Sequence, residues 1–278
     1  MKLGDFELTP LSDGTFALDG GQMFSVVPKP LWEKKCPADS RNRVRLGLRC
    51  LLVRTGKDNV LIETGLGDKY DSKFAEIYAV EKPTTLPAEL KKVGLRPEDI
   101  DIVINTHLHF DHCGWNTRRA GDKVVQTFPR ARYFIQAGEW EHALHPTLRD
   151  QASYVPECFL PTEAQTELLE GNQEIIPGIR VEVIPGHTRD LQCVWIESEG
   201  QQACCVSDLI PTRAHLPYPW MTSFDLYPLE TLANKLRLLP QLVEQETVVV
   251  FPHDLEVPLA KLIEQEGRIV ALAVEPCA

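Results

Sequence analysis

The sequence predicts a mixed α/β (α+β) protein, in which short buried strands alternate with helices. Three observations point to this class: apolar runs of strand length, helical segments with end signals between them, and polar clusters directly after apolar runs. At 278 residues, with 43% hydrophobic and 25% charged side chains, the chain can bury a substantial core. We expect one domain over residues 1–278.

The first half of the chain contains a hairpin signature followed by helical segments. Apolar runs at 46–54 and 60–63 flank the turn sequence Gly56-Lys57-Asp58-Asn59, which is typical of two paired strands. Two helices are expected between residues 68 and 94, and Gly94 is suited to end the second of them.

The second half alternates between strand-like and helix-like stretches. We expect a strand near 133–135, a helix at 137–144, an irregular stretch at 146–161, an exposed helix at 163–170, strands near 173–184, 193–197 and 202–206, a helix at 229–238, a strand ending at 253 and a helix at 258–266. Such a mixture favours sheets that are covered by helices.

The run Thr106-His107-Leu108-His109-Phe110-Asp111-His112-Cys113-Gly114 places three imidazoles and a carboxylate within six residues. It follows a branched apolar stretch, so the cluster lies where a strand ends. Side chains two apart on an extended segment share a face, and His107 and His109 can therefore converge on one ion. Asp111 and His112 require another direction, which favours two ions. Imidazole and carboxylate suit zinc, with manganese, iron and cobalt as alternatives.

The H-x-H-x-D-H pattern resembles the signature of the metallo-β-lactamase fold superfamily. The resemblance implies a four-layer αββα sandwich, in which two sheets face each other between outer helices. It also implies three later ligands, each after a strand. The matching residues are His187 in a Pro-Gly-His-Thr sequence, Asp208 and His253. Glu63-Thr64-Gly65 matches the family's supporting turn.

The resemblance divides the ligands between two divalent metal ions. The expected first site is His107, His109 and His187, and the expected second site is Asp111, His112 and His253. Asp208 would bridge the two sites. This arrangement implies a hydrolase that uses a metal-bound hydroxide on an ester, lactone or phosphoester of a small molecule, with Asp111 and Asp208 orienting the hydroxide or carrying its proton.

The sequence is most similar to the branch of methyl-parathion-hydrolase-like enzymes and N-acyl-homoserine lactonases. Those lactonases commonly carry a tyrosine three positions after the bridging aspartate, whereas this chain has Pro211. The difference argues against a strict acyl-homoserine lactonase.

Two loop regions are candidates for substrate contact. An N-terminal loop or hairpin at about 11–45 is expected near the active site or a dimer interface, and a second stretch follows Asp208. The candidate substrate-binding residues are Phe24, Trp32, His215, Tyr218 and Trp220. The alternative is packing beneath the loops or, for the N-terminal segment, a dimer contact. His142 and His145 are interpreted as surface or core residues rather than ligands.

Composition limits the partners. A net charge of −11 argues against nucleic acid as a partner, and no apolar run approaches the roughly 20 residues that span a bilayer. The N-terminus lacks the apolar region of a secretory signal, so we expect a cytoplasmic protein unless an export segment has been removed. A homodimer is implied by resemblance. Cys50, Cys193, Cys204 and Cys205 are expected to pack as small buried hydrophobes, and so is Cys113.

Two other functions are compatible with the same ligands. The first is a mononuclear iron persulfide dioxygenase-like oxidoreductase, since that family shares much of the histidine framework. The second is a binding protein with a structural metal. The presence of Asp111, His112 and His253 favours two metals over one.

Overall fold

The computed structural model of the protein describes residues 1–274. Its strands in chain order are β1 (Lys2–Leu3), β2 (Phe6–Asp19), β3 (Arg43–Arg54), β4 (Asn59–Ile62), β5 (Ile102–Ile104), β6 (Thr117–Ala120), β7 (Lys123–Gln126), β8 (Arg132–Gln136), β9 (Thr166–Leu169), β10 (Gln173–Ile176), β11 (Ile179–Val183), β12 (Gln192–Ser198), β13 (Gln201–Cys205), β14 (Val248–Val250), β15 (Leu259–Gln265) and β16 (Arg268–Ala273).

The helices lie mainly in the connections between these strands. The α-helices are α1 (Gly20–Phe24), α2 (Lys29–Trp32), α3 (Ser72–Ile77), α4 (Leu86–Lys92), α5 (Ala137–Leu144), α6 (Pro156–Phe159) and α7 (Pro228–Glu244). Short 3-10 helices span Pro97–Asp99, Gly114–Asn116, Gln151–Ser153, Leu160–Gln165, Ser207–Leu209 and Arg213–His215. No helix within residues 1–274 combines the length and apolar character that a membrane span requires.

Two seven-stranded mixed sheets form the centre of the fold. The first has the order β1-β2-β3-β4-β5-β8-β9 and the second the order β10-β11-β12-β13-β14-β15-β16, while β6 and β7 form a separate hairpin. The pairs β4–β5, β5–β8 and β8–β9 are parallel, as is β13–β14. Crossover connections between parallel strands carry the helices to the outer faces.

Three buried clusters define the layers. Between the sheets, residues such as Val53 and Ile104 of the first sheet join Val181 and Val250 of the second. On the outer faces, α4 packs against the first sheet and α7 against the second. Each central strand therefore buries both faces, which explains its almost continuous apolar sequence. The predicted four-layer αββα sandwich is confirmed.

The N-terminal segment forms a hairpin rather than a loop. β2 pairs antiparallel with β3 from Glu7–Arg54 through Asp19–Arg43, with an irregularity between Ser12 and Thr15. The connection between these strands contains α1 and α2, and the Asp19 side chain caps α1 by accepting from the N–H groups of Gly21 and Gln22.

The prediction of a helix at 258–266 is wrong. β15 occupies this stretch and pairs antiparallel with both β14 and β16. Leu259 faces the core between the sheets, whereas Ala260 and Leu262 face the outer cluster. Hydrogen bonds from two neighbouring strands and an apolar layer on each face override local helix preference here.

The prediction of an exposed helix at 163–170 is also wrong. A 3-10 helix ends at Gln165, and β9 follows as a parallel edge strand beside β8. Leu169 is buried while Glu167 and Leu168 are exposed, so only one end of this short strand contributes to the core. Glu167 therefore places a charge on this short sheet edge, which discourages pairing with another chain.

The ends of the central strands gather at one edge of the sandwich. β4 and β5 end before Glu63 and the run 105–116, while β11 and β13 end before His187 and Asp208. Because β4 and β5 are parallel, as are β13 and β14, their carboxyl ends open toward the same side. The fold thereby positions the polar side chains of both sheets around one centre.

Candidate metal centre

The run 105–116 forms a compact turn after β5. The N–H groups of His112 and Cys113 donate to the His109 carbonyl, at 3.0 and 3.2 Å. Gly114 then passes so close to the turn after β4 that a Cβ atom would lie 2.0 Å from the Leu66 carbonyl carbon. Glycine is required at this contact, since any side chain would separate the two turns.

The first group of converging side chains consists of His107, His109 and His187. Their ligand atoms all lie within 4.8 Å of one another. Nε2 of His187 lies 3.1 Å from Nδ1 of His109, and all three side chains are buried. The third imidazole comes from the loop after β11, so the group joins the two sheets.

The second group consists of Asp111, His112 and His253, again with ligand atoms within 4.8 Å of one another. Nε2 of His253 lies 3.2 Å from Nε2 of His112 and 3.6 Å from Oδ2 of Asp111. His253 follows β14, which places it opposite the run that supplies the other two residues.

Asp208 lies between the two groups. Its Oδ2 atom is 3.3 Å from Nε2 of His187 and 3.5 Å from Nε2 of His112, while Oδ1 is 3.2 Å from Nε2 of His253. One carboxylate therefore contacts histidines of both groups. The structure brings together all seven side chains that were predicted from the sequence as metal ligands.

The donor atoms fit cations. Within residues 1–274, Nε2 of His107 and Nε2 of His109 are buried without a hydrogen-bond partner. Imidazole nitrogens that face each other at 3.1 and 3.2 Å need a shared proton or a cation between them. Buried polar atoms of this kind normally have a partner, and a nitrogen and oxygen donor set suits zinc or a related divalent ion.

Glu63 also lies close to these histidines, and its ligand atoms group with those of His107 and His112. However, Oε1 of Glu63 lies 3.4 Å from Nδ1 of His112, whereas Nε2 of that ring faces Asp208 and His253. Glu63 therefore supports the outer nitrogen of His112. It also accepts hydrogen bonds from the Thr106 backbone and hydroxyl groups.

Two further histidines of the ligand groups are held by contacts of Nδ1, the ring nitrogen that faces away from the other ligands. Nδ1 of His187 lies 3.0 Å from Oδ1 of Asp225, which also accepts a 2.7 Å bond from the Thr222 hydroxyl. Nδ1 of His253 donates to the Gly47 carbonyl at 2.8 Å. Such contacts fix the ring orientation and leave Nε2 for a metal. Asp225 was not predicted from the sequence, because it belongs to no motif and lies 38 residues from His187.

The electrostatics favour a metal-binding protonation state for His107, His109 and Asp208. Burial and the neighbouring histidines hold the pKa of His107 and His109 well below the usual range. Burial opposes ionisation of Asp208, but His112, His253 and His187 together hold its pKa well below the usual range. Neutral imidazole and ionised carboxylate are the forms that bind metals. For His112 and His187, Asp208 and other nearby carboxylates outweigh burial and raise the pKa, so a bound cation would replace a proton on these two rings.

The five candidate substrate-binding residues differ in how deeply their side chains are buried. Phe24 and Trp32 are 1% and 2% exposed and stack on each other, with ring centroids 5.2 Å apart. His215 stacks on Phe24 at 4.7 Å and uses both ring nitrogens, bonding to the Thr212 hydroxyl and the Met23 carbonyl. Burial lowers the pKa of His215 to about 4. These contacts favour packing, the alternative that the sequence left open for these residues.

The other two candidates are more accessible. Trp220 is half-buried and meets Phe24 edge-on at 5.8 Å, whereas Tyr218 packs toward the core beneath α7. The loop that carries them is held by Lys235 of α7, which donates to the carbonyls of His215, Pro217 and Trp220 at 2.6 to 2.9 Å. Substrate contact by either residue stays a prediction.

A second aromatic feature was not predicted. We call Phe74, Tyr78 and Phe110 the aromatic wall. The Phe110 ring lies 5.3 Å from that of Phe74 and 5.8 Å from that of Tyr78. Phe110 precedes Asp111 in the chain, and all three rings are half-buried. The aromatic wall therefore stands beside the second group of ligands.

The remaining histidines and cysteines lie outside the two ligand groups. His142 pairs with Asp150 at 2.6 Å, and His145 is exposed near Glu141. The five cysteines that were expected to be small packed side chains, namely Cys50, Cys113, Cys193, Cys204 and Cys205, are all free and buried. Their packing role agrees with the sequence analysis.

Comparisons with known proteins agree with this geometry. Residues 47–253 match the model of the metallo-beta-lactamase superfamily. The chain is 28% identical over 231 residues to an N-acyl homoserine lactonase of Bacillus cereus, covering 77% of this chain and 84% of the relative. A probable metal-dependent hydrolase from Staphylococcus aureus matches with 32% identity, a TM-score of 0.93 and full coverage of both chains.

Another similar solved structure has a reaction product bound at its metal centre. It is an N-acyl homoserine lactone hydrolase with the product N-hexanoyl-L-homoserine bound at its catalytic metal centre, and it matches with 25% identity and a TM-score of 0.70. The match covers 92% of this chain and 95% of that one. On the fold, the superfamily match and these relatives, the chain belongs to the metallo-beta-lactamase superfamily and is similar to its lactonase-like branch of metal-dependent hydrolases.

Proposed function

We propose that this protein is a dinuclear metal-dependent hydrolase that opens a lactone or a related ester of a small molecule. The observation that carries the proposal is the position of Asp208 between two three-residue ligand groups. His107, His109 and His187 would hold one ion, Asp111, His112 and His253 the other, and Asp208 both. When bound, two such ions lower the pKa of water toward 7 and polarise a carbonyl oxygen. Zinc is the favoured ion.

The protein's own residues would position the water and the substrate. Asp111 presents Oδ2 to His112 and His253, which leaves Oδ1 to accept a proton from the attacking water. Glu63 and Asp225 hold the rings of His112 and His187 in their orientations. No serine or cysteine nucleophile is needed.

The lactone class is supported by the lactonase-like relatives and by the aromatic wall. The wall offers an apolar surface beside Asp111, which suits a substrate with an apolar portion. Pro211 occupies the position where lactonases commonly have tyrosine, so we propose lactones in general rather than acyl-homoserine lactones alone. A cytoplasmic location and a homodimer stay predictions of the same proposal.

Metal analysis and a substrate panel test this function. We expect about two divalent ions per chain in protein purified with zinc. A panel of γ-lactones, acyl-homoserine lactones, aryl esters and aryl phosphotriesters should show fastest turnover of lactones. A single iron ion with oxygen consumption on a persulfide would contradict the proposal and support the dioxygenase alternative. Ion binding without turnover on any member of the panel would favour a binding protein.

Removal of the Asp225 carboxylate tests the support of His187. In Asp225→Ala, the His187 ring loses the acceptor for its Nδ1–H group, so we expect the first ion to bind about 10 to 100 times more weakly. Competition with a chromophoric chelator measures this affinity. The control is Asp122→Ala, which removes an exposed carboxylate from the turn between β6 and β7. Equal affinity in both variants would contradict a role for Asp225.

A further inference from the structure

A carboxylate outside the ligand set is buried directly behind the metal-binding run. Glu139 lies in the first turn of α5 and is 1% exposed. Its Oε1 atom accepts hydrogen bonds from the Leu108 N–H group at 3.0 Å and from the Tyr154 hydroxyl at 3.1 Å. A buried carboxylate is costly for folding, so this one calls for a physical explanation.

The first contact of Glu139 acts on the backbone between two ligands. Leu108 separates His107 and His109, and its N–H group has Glu139 as its acceptor. With this group fixed, the Leu108 peptide keeps its orientation, and the imidazoles on either side of it keep theirs. A rotation of the Leu108 peptide group would turn one imidazole away from His187.

The second contact acts on a ligand ring. Tyr154, which donates to Glu139, meets the His109 ring edge-on with centroids 4.8 Å apart. The backbones of Tyr154 and His109 form an isolated β-bridge, and the Phe110 N–H group donates to the Ser153 carbonyl at 2.9 Å. Glu139 therefore fixes both the backbone beside His109 and the aromatic ring against which His109 packs.

The hydrogen bonding around Glu139 is incomplete. Within the part of the chain that the structure describes, Oε2 of Glu139 and Nε2 of His109 are both buried without a hydrogen-bond partner. A half-satisfied buried carboxylate is less favourable for stability than an apolar side chain of the same size. Fold stability alone is therefore a poor explanation for glutamate at this position.

We propose that Glu139 is a positioning residue for the first metal ion, acting through the Leu108 N–H group and through Tyr154 to hold His107 and His109 in a geometry that binds the ion. The inference rests on the proposed function only in requiring that this group binds a metal. It requires no particular substrate. Glu139 does not contact the reacting atoms in this scheme.

The test measures metal binding in variants that remove or keep the acceptor. Glu139→Met has a similar size but cannot accept from Leu108 or Tyr154, and we expect the first ion to bind about 10 to 100 times more weakly. Glu139→Gln keeps one acceptor oxygen and should bind close to wild type. Zinc affinity is measured with a chromophoric chelator, and the absorption spectrum of cobalt-substituted protein reports the geometry of the site.

The matched control is Glu141→Gln, which removes an exposed carboxylate on the same helix and should leave both readouts unchanged. A folded Glu139→Met variant with wild-type affinity and spectrum would overturn the proposal. If that variant does not fold, Tyr154→Phe takes its place, and unchanged affinity and spectrum would again overturn it. Wild-type protein that binds no ion would instead refute the proposed function, so the two failures are distinguishable.

Discussion

Asp208→Ala is expected to abolish hydrolysis while the fold is retained. The carboxylate contacts His187 on one side and His112 and His253 on the other, so its removal leaves each ligand group without its shared member. We expect a rate loss on the order of 1000-fold or more, which corresponds to about 4 kcal/mol of transition-state stabilisation. Metal analysis should show fewer ions per chain than wild type.

The control for this variant separates catalysis from stability. Asp122→Ala, on an exposed turn, should retain full activity and metal content. Circular dichroism of Asp208→Ala should match wild type, because removing one of the buried carboxylates leaves both sheets intact. Full activity in Asp208→Ala with two bound ions would refute the bridging role.

Asp13→Ala is expected to cause the largest loss of stability among the single substitutions considered. Asp13 is 0% exposed, and its Oδ2 atom accepts from the N–H groups of Leu66 and Gly67. Oδ1 accepts from the Leu86 N–H group and the Trp115 indole, at 3.0 and 2.6 Å. One side chain therefore connects β2 to the turn after β4, to α4 and to the segment that follows the ligand run.

Asp13 also forms an ion pair with the largely buried Lys82 ammonium group. Alanine would leave this charge and several donors without an acceptor, and removing one member of a buried ion pair costs about 3 to 5 kcal/mol. Urea unfolding at constant zinc concentration measures the free energy of unfolding. Asp5→Ala, an exposed position near the same strand, should be close to wild type; an equal effect in both variants would contradict the role of Asp13.

These two aspartates differ in how far the sequence could describe them. Asp208 follows an apolar strand and takes its place in the order of a known ligand pattern. Asp13 belongs to a loop-like stretch of glycines, serine and aspartate, and we predicted only that this region forms a loop or hairpin. Its partners Leu66, Leu86 and Trp115 lie 53, 73 and 102 residues further along the chain. No local pattern encodes such contacts.

Secondary structure shows the same division. The hairpin of β3 and β4 was predictable, because its turn and the two apolar runs beside it are local in the chain. The stretch 258–266 has residues compatible with a helix, but β14 and β16 supply hydrogen bonds on both sides and make it a strand. Whether such a stretch becomes a strand depends on which other strands lie beside it, and only the tertiary structure determines those neighbours.

The sequence by itself determined the candidate ligand set and the superfamily resemblance. His107, His109, Asp111 and His112 are close in the chain, so local spacing identified them as candidates. His187, Asp208 and His253 each follow an apolar strand and were assigned because the superfamily resemblance implies later ligands at such positions.

Only the tertiary structure decided which groups support those ligands. Asp225 behind His187, Glu139 behind Leu108 and the Phe24–His215 stack arise from segments that are distant in the chain. The physical reason is that metal ligands are defined by the chemistry of their own side chains. Supporting residues are ordinary acidic and aromatic side chains, whose role depends on burial and on the partner that folding brings within hydrogen-bonding or packing distance.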